Sequence, residues 1–367
     1  MKNTTTHDFD VTIIGGGPAG TAAALTLLNY SSLKVALIEN TDYSNLRIGE
    51  TVSPSLLPLL RYLGLEKEFL KDGHMPFYGI DAAWGSSRLF SIDFLFTGQG
   101  DGWHLDRSKF DYMMAKKVSK KGGHLITATR ILTQKQTEKK WEMTTFAKND
   151  KKNKMVSAFV IDATGKRATF ARKLGTKWKI HDNLIGVVGF YQSRIHQDNH
   201  HSMFIESVSD GWWYSSPLPN DRSIVVFMTD SDICKSIQVK TNWDLLLTKT
   251  KYIKEALRGE LITPLKIYSA HSSVIRQTHF TNWIPAGEAS ASFDPLSSLG
   301  IGYAITSGIH AAKVAHEQLV YGRNVISNYL NNIIENFSRY LDRRKYYYQL
   351  EKRWKDRLFW KRRLESN

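Results

Sequence analysis

The chain has 367 residues and carries 50 lysines and arginines against 35 aspartates and glutamates, a formal net charge of +15. That length suits about two domains with a large core, and the single cysteine, Cys234, excludes an intrachain disulfide and a cysteine-based metal cluster. No apolar run reaches the roughly 18 residues that cross a bilayer, and the polar start of the chain has no signal-peptide core, so we expect a cytoplasmic protein.

A strand, a glycine-rich turn and a helix are predicted near the start of the chain. The apolar run 11–14 is followed by Gly15, Gly17 and Gly20, which have the spacing G-x-G-x-x-G, and 21–28 has the pattern of a helix. Gly15 permits the tight turn, Gly17 lets the backbone approach a pyrophosphate, and Gly20 lets helix and strand pack closely. The start of the helix adds free N–H groups and a partial positive charge, so this pattern favours phosphate binding.

An acidic residue ends the next predicted strand. Glu39 closes the apolar run 35–38, about 20 residues beyond the last glycine of the turn, where an acid accepts a hydrogen bond from a ribose 2′-hydroxyl. Strand, glycines, helix, second strand and acid are together far more specific than a glycine triplet alone. We therefore predict that the chain binds a dinucleotide.

The rest of the chain alternates strands and helices, then becomes rich in strands, and ends in helices. Apolar periodicity predicts helices at 53–63, 107–121 (with Asp106 as N-cap), 303–319 and 325–360. Aromatic and β-branched residues predict strands at 88–96, 185–194, 202–206, 211–216 and 223–229. The polar run 149–154 predicts an exposed hairpin tip.

Three further segments suit a flavin. Residues 160–165 (VIDATG) and 283–289 (WIPAGEA) are apolar strands that end in glycine beside an acid, and 293–300 (FDPLSSLG) leads into the next helix. Proline and glycine fix this last turn, and the start of the helix presents N–H donors. A reduced flavin carries negative charge on one ring edge, so such a helix start suits it.

In their order along the chain, and with RIGET at 47–51 and WHLDR at 103–107, these motifs resemble the single-component FAD monooxygenase superfamily. This is the p-hydroxybenzoate hydroxylase fold, which includes tryptophan halogenases and geranylgeranyl reductases. The resemblance covers residues 9 to about 320 and implies an α/β fold with a Rossmann-like FAD-binding domain, an antiparallel-sheet substrate domain and a helical C-terminal tail. The expected boundaries are 1–75, 105–175 and 271–320 for the FAD-binding domain, 76–104 and 176–270 for the substrate domain, and 321–367 for the basic helical tail.

The resemblance also implies the site residues. FAD is expected to contact Gly15, Gly17, Pro18, Ala19, Gly20, Glu39, Arg47, Glu50, Thr51, Arg107, Ile131, Gly287, Glu288, Pro295, Gly300 and Ile301. Glu288 stands where the family has aspartate, and its extra methylene implies a looser contact. The expected catalytic residues are Pro295, Ser298, Trp213 and Tyr214, and no metal is expected.

The match is best with the halogenase-like branch, but the residues that halogenation needs differ. Ser297 stands where halogenases have glutamate. Near Trp84, where the active-site lysine is expected, the chain has Asp81. The resemblance therefore implies a flavoprotein that does not halogenate.

Among such proteins the chain resembles the modifying flavoproteins that make the cysteine tryptophylquinone cofactor of bacterial lysine ε-oxidase and glycine oxidase. This resemblance implies an FAD-dependent monooxygenase that hydroxylates a tryptophan of a precursor oxidase. NAD(P)H or a separate flavin reductase would supply electrons, and neither nucleic acid nor a membrane is an expected partner. The alternatives are a hydroxylase of small aromatics, a flavin reductase of the geranylgeranyl type, and a flavoprotein that only binds a precursor.

Other candidate residues have two interpretations each. Trp103, Trp212, Trp213 and Tyr214 could line a substrate pocket or fill the sheet core. The basic residues of 338–363 could contact an acidic macromolecule or form a solvated helix face. A metal site at His200 and His201 is not expected without a spaced third ligand.

Overall fold

A computed structural model describes residues 6–94, 100–148, 152–193, 201–257, 259–276 and 279–365. The strands, in chain order, are β1 (Thr6–Ile14), β2 (Val35–Ile38), β3 (Thr51–Val52), β4 (Met75–Phe77), β5 (Gly79–Ala83), β6 (Phe90–Asp93), β7 (Gly102–His104), β8 (His124–Ile126), β9 (Thr129–Gln136), β10 (Trp141–Ala147), β11 (Lys152–Asp162), β12 (Trp178–Ile180), β13 (Leu184–Gln192), β14 (Ser202–Val208), β15 (Gly211–Leu218), β16 (Arg222–Asp230), β17 (Glu260–Leu261), β18 (Lys266–Ser269), β19 (Ser273–Ile275), β20 (Trp283–Pro285) and β21 (Ala291–Ser292). The α-helices are α1 (Pro18–Tyr30), α2 (Leu56–Tyr62), α3 (Glu66–Lys71), α4 (Arg107–Lys120), α5 (Thr169–Lys173), α6 (Ser231–Ser236), α7 (Trp243–Thr248), α8 (Tyr252–Ala256), α9 (Gly300–Tyr321), α10 (Ile326–Leu350) and α11 (Leu358–Glu365).

The first sheet is the predicted dinucleotide-binding layer. Its strand order is β8-β2-β1-β11-β10-β9, with β20 also paired to β11, and all pairs except those of β10 are parallel. In this register Ile13 lies between Leu37 and Ile161. The carboxyl ends of β1, β2, β11 and β20 therefore meet at one edge of the sheet, where α/β proteins bind their ligands.

Helices cover this sheet and complete the larger hydrophobic core. α1 packs against both α4 and α9. At the crossing of α1 and α9, a side chain on Gly308 would collide with the carbonyl of Ala19, so glycine permits the close approach. The start of α1 is thereby held at the carboxyl edge of the sheet.

The second sheet has the strand order β17-β13-β16-β15-β14-β5-β6, with β18 also paired to β13. All its pairs are antiparallel except β14 with β5. One face packs on α7 and α8 through a core that includes Trp213, Phe227 and Trp243. The other face packs in part on the C-terminal helices, through a core that includes Trp212, Tyr348 and Trp360. Two small antiparallel sheets, β3-β7-β4 and β12-β19-β21, complete the topology.

The structure confirms the predicted α/β fold with its helical tail, and it changes several element boundaries. α4 begins directly after Asp106, whose side chain accepts a hydrogen bond from Lys109 N, as predicted for an N-cap. The strand predicted at 88–96 is described only as Phe90–Asp93, and residues 95–96 lie outside the described chain. Residues 149–151 of the predicted hairpin tip also lie outside it.

The helix predicted over 325–360 is wrong in one respect, because it is interrupted. α10 ends at Leu350 and α11 begins only at Leu358. Between them, Glu351 is fully buried, and its Oε2 accepts hydrogen bonds from Gly85 N at 2.8 Å and from Ser207 Oγ at 2.6 Å. These tertiary bonds hold Glu351 in an extended conformation, and the helix stops there.

The basic tail is part of the folded body. Arg344 pairs with Asp182, Arg357 with Asp210 and Arg363 with Asp230. The side chains of Tyr348, Phe359 and Trp360 are buried in the core beneath the second sheet. These three arginines of the basic tail, for which the sequence left a contact surface or a solvated helix face open, therefore form ion pairs within the molecule. Among the described residues, no helix combines the length and apolar character needed to span a bilayer.

Candidate active site

The glycine turn between β1 and α1 has the predicted features. Gly15 has φ +107°, and a side chain there would collide with Ala163 O. A side chain on Gly20 would collide with Gly15 O, so Gly20 serves packing between turn and helix. A Cβ on Gly17 would meet no heavy atom within 4 Å. Gly17 therefore faces open space, as the approach of a pyrophosphate requires.

Glu39 closes this turn from the end of β2. Its buried carboxylate accepts hydrogen bonds from Gly16 N on Oε2 at 2.7 Å and from Thr41 N on Oε1 at 3.0 Å. A carboxylate has about four acceptor sites. Oε1 also accepts from Thr41 Oγ1 at 2.5 Å and from Arg47 Nη2 at 3.3 Å. Gly16 N is the one donor to Oε2 among the described residues, so Oε2 keeps acceptor capacity for a ribose hydroxyl in the cavity that Glu39 lines.

Two arginines are fixed at the same cavity by one acid. The fully buried Asp111 accepts from Arg47 Nη1 at 2.7 Å and from Arg107 Nη2 at 3.1 Å. Arg107 Nη1 also donates to Ile48 O at 2.7 Å. Asp111 neutralises part of the charge and orients both guanidinium groups, so they need little reordering to meet a phosphate.

Glu50 is a buried carboxyl on the cavity wall. Burial raises its pKa, and the opposing contributions of backbone N–H groups, Arg107 and Tyr214 are smaller. Its Oε2 has no hydrogen-bond partner among the described residues. Because an unpaired buried oxygen is costly, Glu50 suits a bound molecule that donates an N–H or O–H group.

A small polar network lies behind Thr51. The Ser216 hydroxyl lies 2.9 Å from His104 Nδ1 and 3.1 Å from Thr51 Oγ1, and His104 Nε2 lies 3.0 Å from His201 O. Burial lowers the pKa of His104 to about 4. The imidazole is therefore neutral near pH 7, where it donates through Nε2 and accepts from Ser216.

The turn at 294–299 brings α9 to the cavity. The Asp294 carboxylate accepts from Leu296 N at 2.9 Å, and Ser298 takes a left-handed conformation with φ +52°. A Cβ on Gly300, the first residue of α9, would meet nothing within 4 Å. The helix start is thus open toward the cavity.

One continuous cavity of about 890 Å³ joins these features. This volume lies near the upper end of the roughly 300–1,000 Å³ typical of small-molecule sites. The residues described above form one wall. The opposite wall is an apolar and aromatic surface of the second sheet, which consists of Gly186, Val188, Met203, Ile205, Trp212, Tyr214, Val226 and Met228.

Most of the predicted site residues line this cavity. They are Gly15, Gly17, Pro18, Ala19, Glu39, Arg47, Glu50, Thr51, Arg107, Ile131, Glu288, Pro295, Ser298, Gly300, Ile301 and Tyr214. Gly20 and Gly287 lie behind the wall, where a side chain on Gly287 would press on Ala19. These two glycines shape the site without facing it.

Trp213 does not face the cavity. Successive side chains of a strand point to opposite faces, so Trp212 and Tyr214 share the cavity face and Trp213 cannot. Trp213 stacks on Phe227, with 4.7 Å between ring centroids, in the opposite core. Its predicted contact with the substrate is therefore wrong in this structure, and strand alternation in the sequence could have shown it. Trp103 also packs in a core, against Phe69.

Lys166 was not among the predicted site residues, yet it lines the cavity. Burial lowers the pKa of its amine, and Nζ donates to Ser269 O at 3.1 Å and to His271 O at 3.0 Å. The lysine follows the DATG motif directly, which is the one signal in the sequence that could have suggested it.

Ser297 and Asp81 are the two residues that differ from those of halogenases, and both form hydrogen bonds within the chain. Ser297 Oγ donates back to Asp294 O at 2.7 Å, and Asp81 is hydrogen-bonded to Ser91. His200 lies outside the described residues, so the structure does not bear on a pair with His201. Within the described ranges, no group of three or more histidine, cysteine, aspartate or glutamate side chains is placed to hold a metal ion.

The residues present fit FAD. Gly17 and Gly300 leave open space at two helix starts that can face anionic groups, and Glu50 Oε2 lacks the donor that a ribityl hydroxyl or ring N–H can supply. A family model described as an FAD binding domain matches residues 8–314.

The chain belongs to this FAD-binding family. Along 97% of both chains it is 32% identical to LodB of Marinomonas mediterranea, which is named as an FAD-dependent oxidoreductase. It is also 26% identical to the flavin-dependent halogenase armH3 of Armillaria mellea over 83% of this chain, and it spans 66% of that longer protein. The chain is an FAD-dependent oxidoreductase.

Solved structures share the fold of this chain. The flavin-dependent halogenase CmlS has a TM-score of 0.85 at 22% identity, over 97% of this chain and 67% of that chain. The peptidyl tryptophan dihydroxylase QhpG, described as essential for tryptophylquinone cofactor biogenesis, has a TM-score of 0.79 at 19% identity, over 97% of this chain and 78% of that one. The predicted family and cofactor are confirmed.

Proposed function

We propose that the chain is an FAD-dependent monooxygenase that hydroxylates a tryptophan side chain of a precursor protein during tryptophylquinone maturation. The observation that carries this proposal is the pairing of the two cavity walls. Residues that suit FAD face an aromatic surface built by Trp212 and Tyr214. The similarity to LodB along nearly the whole chain and the fold shared with QhpG support the same function.

When bound, FAD supplies the activation of molecular oxygen for transfer of one oxygen atom to an electron-rich ring. The chain's own residues bind and orient. Tyr214 can stack on an indole, and Trp212, which is 1% exposed, packs against Tyr214 and supports this wall. The neighbouring apolar side chains of the sheet exclude water. Glu50 has a raised pKa and can hold the proton that a ring carbon loses on hydroxylation.

Halogenation is not favoured, because Ser297 and Asp81 stand where the glutamate and the active-site lysine of halogenases are expected. Two lysines, Lys166 and Lys173, line the cavity among the described residues. The amine of each is held by two backbone carbonyls, those of Ser269 and His271 for Lys166 and those of Ile131 and Leu132 for Lys173. The sequence has a single dinucleotide fingerprint, and the FAD assignment uses it. We therefore propose, without a second fingerprint to identify it, that the electron donor is NAD(P)H or a separate flavin reductase.

Oxygen uptake with product analysis tests the proposal. The purified protein with reduced FAD should convert the precursor's tryptophan, while free phenols should not be hydroxylated at a comparable rate. Trp212→Phe should lower precursor conversion about tenfold, since an aromatic wall that positions the ring sets the reaction geometry. The matched control Trp213→Phe, on the opposite face, should leave it unchanged. Hydroxylated phenols with an unmodified precursor would overturn the proposal.

A further inference from the structure

A tyrosine of the tail links the two walls of the cavity. Tyr348, in α10, is 1% exposed. Its hydroxyl donates to Asp294 Oδ2 at 2.7 Å and accepts from Trp212 Nε1 at 3.1 Å. Asp294 belongs to the turn that starts α9, and Trp212 belongs to the aromatic wall of the second sheet.

The directions of these bonds are set by chemistry. The indole N–H of Trp212 can only donate, so the Tyr348 oxygen accepts from it. The Tyr348 O–H is then free to donate to the Asp294 carboxylate. Because each bond supports the next, one hydroxyl sets both the orientation of the Trp212 ring and the position of the Asp294 side chain.

The tail holds Tyr348 firmly. The ring of Tyr348 packs on Trp84 at 5.7 Å and on Trp360 at 5.9 Å between centroids, and the guanidinium of Arg363 lies 5.2 Å from it. Arg363 is in turn paired with Asp230. α11 therefore fixes the tyrosine, and its hydroxyl has little freedom to move.

A second phenol of α10 supports the same turn. Tyr340 Oη accepts from Asp294 N at 2.7 Å and lies 2.8 Å from Ser272 Oγ. Tyr340 and Tyr348 lie two helical turns apart on one side of α10 and bind the backbone and the side chain of one residue. The tail thus contacts the turn at 294–299 at two independent points.

We propose that Tyr348 is a positioning residue of the active site, which fixes the turn at 294–299 and the Trp212 ring relative to each other. The expected change in the spectrum and potential of the flavin depends only on FAD binding at this site. The expected change in product formation depends on the proposed function. Residues of the tail would then set reaction geometry without touching cofactor or substrate.

Tyr348→Phe tests this role because it keeps the ring and removes the hydroxyl. The variant should still bind FAD, but the visible absorption maxima and the midpoint potential of the bound flavin should shift. With the precursor present, product per flavin oxidised should fall about tenfold, since even small misplacement of reacting groups is costly. The matched control is Tyr347→Phe, whose side chain is 45% exposed, and it should behave like the parent.

The substrate-free measurements separate this proposal from the proposed function. If the parent fails to modify the precursor, the spectrum and potential of Tyr348→Phe still decide the role of Tyr348. If Tyr348→Phe does not fold, Trp212→Phe removes the indole donor from the same hydroxyl and should shift the spectrum in its place. A parent-like flavin spectrum and potential in Tyr348→Phe, or in Trp212→Phe where it stands in, would overturn the proposal.

Discussion

The guanidinium of Arg363 lies 2.7 Å from Asp230 Oδ1, and both side chains are almost fully buried. This pair joins α11 to the last residue of β16, a strand that lies between β13 and β15 in the second sheet. The tail is thereby anchored to the sheet that forms one wall of the cavity.

We predict that Arg363→Met destabilises the protein strongly. Removing one partner of a buried pair leaves the other charge poorly compensated, which typically costs about 3–5 kcal/mol. Arg362 also contacts Asp230, so the loss should fall at the low end of that range. Denaturant unfolding checks this. Arg339→Met, which breaks an exposed pair with Glu335, should cost less than about 1 kcal/mol, and equal losses in the two variants would contradict the assignment.

Gly17→Val should abolish FAD uptake without unfolding the protein. The backbone at Gly17 has φ −76° and ψ −173°, which valine adopts readily, and the side chain would enter open space that the pyrophosphate needs. Titration with FAD, followed by flavin fluorescence, measures uptake. Gly20→Ala offers the contrast, because its Cβ meets Gly15 O and should lower the stability of the FAD-free protein as well. Parent-like uptake by Gly17→Val would show that the cofactor lies elsewhere.

The stability of the protein should fall with acidity partly because of His104. Burial lowers its pKa to about 4 from an ordinary value of 6.5, so between these values the unfolded chain binds a proton that the folded chain does not. The contribution of the neutral, buried His104 to the free energy of unfolding is therefore complete above pH 6.5 and is lost as the pH falls toward 4. It amounts to roughly 3 kcal/mol.

His104→Gln isolates this contribution. A glutamine amide can donate and accept as the imidazole does, but it does not titrate. The free energy of unfolding, measured from pH 7 to 4.5, should decline less steeply in the variant than in the parent. Parallel pH profiles would mean that His104 is not the neutral buried group described above.

The protein should not halogenate. Ser297 stands at the glutamate position of halogenases, and Lys166 is held by the carbonyls of Ser269 and His271. Incubation with reduced FAD, oxygen, bromide and free tryptophan should give no bromotryptophan by mass spectrometry. If the product appears, Lys166→Met shows whether this lysine carries the halogen.

Local chemistry explains what the sequence could predict. The glycine turn, Glu39 and the turn at 294–300 are short segments whose residues dictate backbone shape, so the sequence could predict that they line one cavity. Trp213 lies on the opposite face of the sheet from Trp212 and Tyr214, because successive side chains of a strand alternate between its two faces, and a prediction that groups all three on one wall ignores this period.

The sequence pattern could not predict the contacts between residues that are distant along the chain. The approach of Tyr348 to Asp294, of Arg363 to Asp230 and of Lys166 to Ser269 depends on how distant segments fold together. The interruption at Glu351 has the same origin, since helix periodicity continues there and only its buried tertiary partners end α10. Such contacts carry no local signal.

Co-expression with the candidate precursor oxidase tests the central claim most directly. Intact-mass and peptide mass spectrometry of the oxidase should show a gain of about 16 Da per oxygen atom added, located on a tryptophan, only when this chain is present. The Gly17→Val variant should leave the oxidase unmodified. Normal maturation of the oxidase in the absence of this chain, together with hydroxylation of free phenols in its presence, would contradict the account.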